Sequence, residues 1–339
     1  TPSDFTSPVL ALNEFDDLLA RLGQTPDAVE DVARLSPMQA GMLFQSVFDA
    51  TSSAYFVQMA YRLRGRLDAP RFIAAWEQLA QRHTILRTSL IHEDVPEPLQ
   101  IVWRRRPPET ALHDVRHLSA EDQRTAIAAA READLDRRFD LARDALWRIN
   151  VWLLADDASE VVWSYHHVLL DGWSLGLVHR DLLQIYHGHQ ALPPAVPYRN
   201  YVRWLQQQPP EAARNHWRAA LAGFEQATPL PAEPDGDAAP DSRAEYIIDL
   251  DAALSEDLRE LAQRGGATLA VLMQAAWAVL LARLHRTDDV VFGAIVSGRA
   301  PDLADVEEMI GLFICAVPVR FQIGAEDSFL QLLASAQQE

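Results

Sequence analysis

The sequence predicts an α/β protein built as two similar lobes with a cleft between them. Strand-like and helix-like periods alternate along both halves, and a run rich in proline and aspartate near residues 228–242 separates them. The composition, 49% hydrophobic and 23% charged over 339 residues, is that of a chain with a packed core.

The elements follow in order. Residues 1–30 form an acidic lead-in in which Leu10, Leu12, Phe15, Leu18, Leu19 and Leu22 recur at helical spacing. They read as a linker helix docking onto the body or as the first helix of the fold. Pro70–Arg82 is a helix with Phe72, Ala75, Trp76 and Leu79 on one face, and the alternating run Ile85–Ile91 reads as a strand. Helix Asp122–Leu135 and strand Leu146–Leu154 follow, then Glu160–His167, whose Val161, Val162, Trp163 and Tyr165 suit a strand covered on both faces. Ser174–His187 reads as a helix with Ser174 as its N-cap. Beyond the 228–242 run, whose prolines cannot sustain a helix or a central strand, the reading is strand Glu245–Leu250, helices Ser255–Arg264 and Thr268–Leu284, strands Val290–Val296 and Leu312–Phe321, and a final helix. The domains expected are therefore a linker over 1–30, an N-terminal lobe over 31–227, the linker 228–242 and a C-terminal lobe over 243–339.

Charge and composition exclude several classes. Lys plus Arg number 30 against 48 Asp plus Glu, a net charge of −18, which repels a phosphate backbone or an anionic membrane. A single cysteine, Cys315, forms no intrachain disulfide and requires no oxidising compartment. Thr1-Pro2-Ser3-Asp4 lacks the basic start of a secretory signal, and the longest apolar stretch, Leu269 to Ala282, falls short of the roughly 20 residues a membrane span needs. A cytoplasmic protein is expected. No phosphate-binding glycine loop, CxxC pair, HExxH helix or GxSxG elbow occurs.

The sharpest feature is His166-His167-Val168-Leu169-Leu170-Asp171-Gly172, at a strand end just before a helix. Alternation along a strand sends adjacent side chains to opposite faces, so the two histidines do not converge on one metal ion. One is then the reactive group and the other a packing or hydrogen-bonding residue. Asp171 can turn back to orient the loop or pair with an arginine, and Gly172 lets the backbone turn where a ligand approaches. The helix opened by Ser174 places partial positive charge nearby.

This run, continued by Trp173-Ser174-Leu175, resembles the HHxxxDG signature of condensation domains from nonribosomal peptide synthetases. Leu35–Phe44 resembles that family's opening motif, and Arg82–Leu90 its RHxxLRTxF segment with Leu90 for Phe. Tyr198–Trp204 resembles YxDFxxW with Asn200 for Asp, and Ile310–Arg320 resembles IGxFxNTxPxR with Cys315 and Ala316 for Asn and Thr. The matches keep the family's order from residue 35 to 320.

The resemblance implies two chloramphenicol-acetyltransferase-like lobes in a V shape, with the active site in the cleft and a C-terminal lobe that is incomplete in this chain. His167 would be catalytic. His166, Asp171, Gly172 and Arg299 would be structural, with Asp171 paired to Arg299 across the lobes. Arg87, Trp173, Ser174, Ser297 and Cys315 are further candidates for lining the cleft. No metal and no resident cofactor are implied; phosphopantetheine arrives on upstream donor and downstream acceptor peptidyl carrier proteins, beside an adenylation domain, in antibiotic or siderophore biosynthesis. The implied reaction is attack of an acceptor amine on a donor thioester, by a branch joining two L-residues. A stand-alone acyltransferase using acyl-CoA shares the signature, and a non-catalytic platform recruiting other proteins is the alternative from another class. An epimerase relative fits Gly172–Leu175 less well, and a cyclising relative would carry Asp in place of the histidines.

Overall fold

The structure is a computed structural model that describes residues 2–49, 52–188, 192–225, 228 and 246–337. The chain forms two compact units: Thr1–Gln208 with Ser297–Cys315, and Pro209–Val296 with Ala316–Glu339.

The first unit begins with α1 (Leu12–Arg21), β1 (Val29–Arg34), α2 (Pro37–Phe48), β2 (Phe56–Arg64) and α3 (Ala69–Arg82). It continues through β3 (Thr88–Ile91), β4 (Leu99–Trp103), β5 (Glu109–Asp114), α4 (Ala120–Arg137), β6 (Trp147–Ala155), β7 (Ala158–His166), α5 (Gly172–Tyr186) and α6 (Arg199–Gln207). One sheet has the order β1-β4-β3, all antiparallel. The other has the order β2-β7-β6-β5, antiparallel except for the parallel pair β5/β6. Helices start where short polar side chains satisfy orphan backbone donors: Ser36, Asp68 and Ser119 accept from Gln39, Arg71 and Asp122 N–H groups.

Central strand β7 is buried on both faces, as its apolar run predicts. Its Trp163 meets Trp76 of α3 at a ring-centroid distance of 5.1 Å, and Trp76 meets Trp147 of β6 at 5.6 Å. All three indoles are fully buried. Residues 2–28 are part of this unit. Phe15, Leu18 and Leu19 of α1 pack with Val32, Leu99 and Ile101 of the three-stranded sheet, and Thr6 is hydrogen-bonded to the Asp31 carboxylate.

The second unit contains α7 (Pro210–Ala220), α8 (Ala252–Arg264), α9 (Leu269–His285), most of the paired strands β8 (Asp289–Ser297) and β9 (Ile314–Gln322), and α10 (Phe329–Ala336). Ala275, Ala278, Leu281, Val290, Phe321 and Leu333 form its core. No single helix among the described residues is long and apolar enough to cross a membrane.

Several expectations change. Segment 297–315, expected in the C-terminal lobe, belongs to the first unit because Met309, Ile310, Leu312 and Phe313 are buried in that unit's core; residues 209–225 go with the second. Thr228 apart, the expected linker 228–242 lies outside the described residues. Tyr246–Leu250 form no strand: the alternation is there, but no neighbouring strand among the described residues supplies the ladder, and Tyr246 is 88% exposed. The run Ile85–Ile91 starts as a 3-10 turn, Thr84–Arg87, and only Thr88–Ile91 is strand.

Replacing Trp76 by Ala removes the ring shared by both neighbouring indoles and is expected to lower unfolding stability by about 3–5 kcal/mol. Urea denaturation followed by tryptophan fluorescence checks this; a loss under about 1 kcal/mol would mean that the site collapses around the cavity.

Candidate active site

Strand β7 ends at His166, opposite Phe56 of β2, and the next N–H, that of His167, donates to Tyr55 O at 2.7 Å. That bond pins the loop where the chain leaves the sheet. His166 turns inward and is 5% exposed. Its Nδ1 accepts from Val168 N at 3.2 Å, which places the ring proton on Nε2; Nε2 then donates to Ser46 Oγ at 3.3 Å, and Ser46 Oγ donates to Met42 O at 2.8 Å. Burial, with a smaller effect from His167, pulls the His166 pKa down to about 4. At neutral pH His166 is therefore an uncharged strut.

His167 is half-buried, and its Nδ1 is buried with no hydrogen-bond partner among the described residues. Asp171 does not orient this ring. Its Oδ1 accepts from Ser174 N at 2.9 Å, its Oδ2 accepts from Phe313 N at 3.0 Å, and the Arg299 Nη2 lies 3.5 Å from Oδ1. No carboxylate pairs with His167 among the described residues, and its Nδ1 is left without a partner inside the chain.

The Asp171 bonds make it the N-cap of α5, which begins at Gly172. Ser174, expected as the cap, instead lies in the first turn with no exposed surface, so it lines no cleft. Its hydroxyl donates to Gly311 O at 2.8 Å and accepts from Gly311 N and from Arg299 Nη2 at 3.1 and 3.0 Å. Arg299 Nη1 donates to the Val306 and Met309 carbonyls, and the guanidinium stacks 3.9 Å from the centroid of the Phe313 ring. Burial lowers the Arg299 pKa, an effect that Asp171 opposes. The backbone of 311–313 is thus held by side chains, with Tyr198 OH donating to Leu312 O at 2.7 Å, and β9 starts at Ile314 instead of Leu312. Gly311 is required here, since a Cβ would sit 2.1 Å from Tyr198 Cδ2.

Arg299 and Asp171 pair within one unit and not across lobes. Arg87 does not enter the site. Its buried guanidinium donates to Ala80 O, Gln81 O, Trp103 O and the Glu30 carboxylate, capping the end of α3. Gly172 needs no special backbone angle, and a Cβ there would meet nothing within 4 Å. Ser297 is exposed and its Oγ accepts from Arg299 N, while Trp173 is 57% exposed with its indole N–H donating to Glu307 O. Cys315 is half-buried, hydrogen-bonded to Tyr201, and burial raises its thiol pKa, which keeps it protonated and unreactive. Ser46, Tyr55 and Phe313 are contributors that sequence reasoning did not select. Ser46 and Tyr55 carry no motif signal, whereas Phe313 stood inside the quoted Ile310–Arg320 segment. The segment Arg82–Leu90 also has a structural role: Arg82 Nε and His83 Nε2 contact Asp181 Oδ2 of α5 at 3.0 and 2.9 Å.

The site thus combines two histidines of unlike environment at the exit of a central strand with a buried aspartate–arginine pair, in an α/β domain. The chain belongs to the condensation-domain family, whose model matches residues 29–339. Bacitracin synthase 3 of Bacillus licheniformis is 36% identical over 345 residues, covering 100% of this chain and 5% of that protein. Tyrocidine synthase 2 of Brevibacillus parabrevis is 34% identical over 312 residues, covering 91% of this chain and 9% of that protein. This chain therefore spans only a small part of those relatives. Among solved structures, the X-domain in its complex with OxyB from teicoplanin biosynthesis aligns with a TM-score of 0.76 at 29% identity, covering 93% of this chain and 70% of that one. The first condensation domain of the calcium-dependent antibiotic synthetase, in complex with a substrate analogue, shares the fold with a TM-score of 0.70 at 19% identity, covering 91% and 74%.

Asp171→Ala leaves a guanidinium with 5% exposed side chain facing no anion, and is expected to cost about 3–5 kcal/mol. Arg299→Ala is expected to cost a similar amount, and the double variant clearly less than the sum; strict additivity in urea unfolding would show that the two do not act as a pair. The unfolded histidine titrates near 6.5 and folded His166 near 4, so the unfolded state binds more protons between those values. This contribution, roughly 3 kcal/mol, is present above pH 6.5 and is lost as pH falls toward 4. His166→Asn is expected to flatten that part of the stability–pH curve, measured by urea midpoints across the range.

Proposed function

We propose that this chain catalyses amide-bond formation in nonribosomal peptide synthesis, joining an acyl or peptidyl thioester on an upstream carrier protein to the amine of an aminoacyl thioester on a downstream one. In this reading phosphopantetheine arms deliver both reactants, and an adenylation domain of the same synthetase loads the acceptor. The amine nitrogen attacks the thioester carbonyl, the C–N bond forms as the C–S bond breaks, and the proton lost from nitrogen ends on the departing thiol. A thioester is already activated, so the reaction needs no covalent enzyme intermediate.

The observation that carries this reading is the state of His167. Its backbone is pinned to Tyr55 and its Nδ1 lacks a partner among the described residues, while both carboxylate oxygens of Asp171 are committed elsewhere. An α-amine has a pKa near 7.7–8.0, so near neutral pH a fraction is free to attack, and a neutral imidazole accepts a hydrogen bond from it and then its proton. Without an orienting carboxylate, His167 works chiefly by aligning the amine and receiving a proton that the reaction itself makes acidic. The likeness to the X-domain, found in its solved structure in complex with OxyB, supports a second reading as a recruiting platform.

His167→Ala is expected to lower the rate of product formation from loaded carrier proteins by about 10²–10⁴-fold with the melting temperature unchanged. Mass spectrometry of the carrier-bound product reads this. Full-rate product from the variant would remove the imidazole from the mechanism, and carrier binding without turnover by the unaltered protein would favour the platform.

A further inference from the structure

Beyond this chemistry, the first unit has a cavity at the far end of the same two elements. Phe56 of β2 faces His166, but Arg64 at the other end of β2 faces Ala158, eight residues and about 26 Å away. Helix α5 likewise starts at the histidine loop and ends at Tyr186. There the ends of β2 and α5, with Phe72 of α3, line an open cavity of about 360 Å³, within the range of small-molecule sites.

Its floor is apolar, made by Leu63, Leu67, Phe72 and Leu182. Tyr61 and Tyr186 form aromatic walls. The Tyr61 hydroxyl is buried without a hydrogen-bond partner among the described residues, a condition that costs about 1–3 kcal/mol. His179 donates from Nδ1 to Leu175 O at 2.8 Å, which leaves Nε2 without a partner among the described residues. Arg64 and Arg66 at the mouth make no ion pair among the described residues, and Arg71 lies over the Tyr186 ring at 5.6 Å with no carboxylate of its own. Neither neighbouring acid makes an ion pair with them among the described residues: Asp68 caps α3, and the backbone carbonyl of Asp157 accepts from Gly65 N. In a chain of net charge −18, Arg64 and Arg66 beside an apolar hollow, with Arg71 over one of its rings and none of the three ion-paired among the described residues, form a local reversal of sign.

We propose that this cavity binds an apolar monoanion, a carboxylate carried on a medium-length alkyl chain or a single ring. The apolar body fills the floor between Phe72 and Leu182. The carboxylate sits at the mouth, where Arg64 and Arg66 neutralise it. A compact hollow of this size holds one such body, whereas an acidic peptide would need an extended row of subsites.

Octanoate is the probe. Titration of the full chain by calorimetry is expected to show one saturable site that weakens with added salt, with NMR shifts on the Tyr61 and His179 rings. The Arg64→Gln/Arg66→Gln variant, altered only at exposed side chains and checked for an unchanged melting temperature, is expected to bind octanoate about tenfold more weakly or worse, while its response to octan-1-ol stays that of the parent chain. Absence of saturable binding, equal affinity in the double variant, shifts that miss both rings, or binding of an acidic peptide where octanoate fails would each overturn the proposal. Product formation is not the readout, so none of these outcomes bears on the role of His167.

Discussion

One carboxylate, that of Asp171, ties the site together. It accepts from the first turn of α5 on one oxygen and from the backbone of Phe313 on the other, while Arg299 neutralises it. A buried charge is tolerable only when paired and fully hydrogen-bonded, and here each partner also has other bonds: Arg299 to two carbonyls and Ser174, Ser174 to both backbone groups of Gly311. The direction of α5, the path of 311–313 and the course of the histidine loop are therefore one linked solution. None of them shifts without exposing an unpaired polar group.

That rigidity gives two adjacent histidines opposite characters. His166 has each ring nitrogen assigned, one to a backbone donor and one to Ser46, and burial keeps it neutral over the whole physiological range. His167, one residue on, shares the constraint on its backbone but none on its imidazole. Of the two rings, it is His167 whose polar demand is left unmet among the described residues. Such an unpaired group is costly in a folded protein unless something outside the chain completes it.

Local signals were legible in the sequence where local physics decides. The helix from Ala69 to Arg82 follows from its apolar face with Pro70 at its start, and the burial of β7 from an unbroken apolar run. The alternation rule also separated the roles of the paired histidines before any geometry was known. What failed depended on distant partners. Ser174 is as good a cap by type as Asp171, and only the backbone of residue 313 favours the aspartate. Arg87 looked free because an arginine in a motif carries no sign of the four acceptors folded around it. The strand expected at Leu312 is delayed two residues by Tyr198 and Asp171, over 100 positions earlier in the chain. Tyr246–Leu250 has the right period but no ladder partner among the described residues, and period alone forms no sheet.

The motif segments divide by what they bind. Arg82 and His83 are spent on Asp181, whose carboxylate their hydrogen bonds hold well below the usual range against the opposing effect of burial. Arg87 is spent on the end of α3, Tyr198 on Leu312, Tyr201 on Cys315, and Asp171 on Phe313 and Arg299. The cysteine at 315 fits the same account: its Sγ lies 3.8 Å from Phe313 O, and it packs against the hydroxyl of Tyr201 as a protonated thiol. A chain that commits this many polar side chains to its own backbone gains a fixed frame and leaves few groups for chemistry. His167 stands out for that reason: its neighbours in the motifs are bonded to other parts of the chain, and its ring Nδ1 is not, among the described residues.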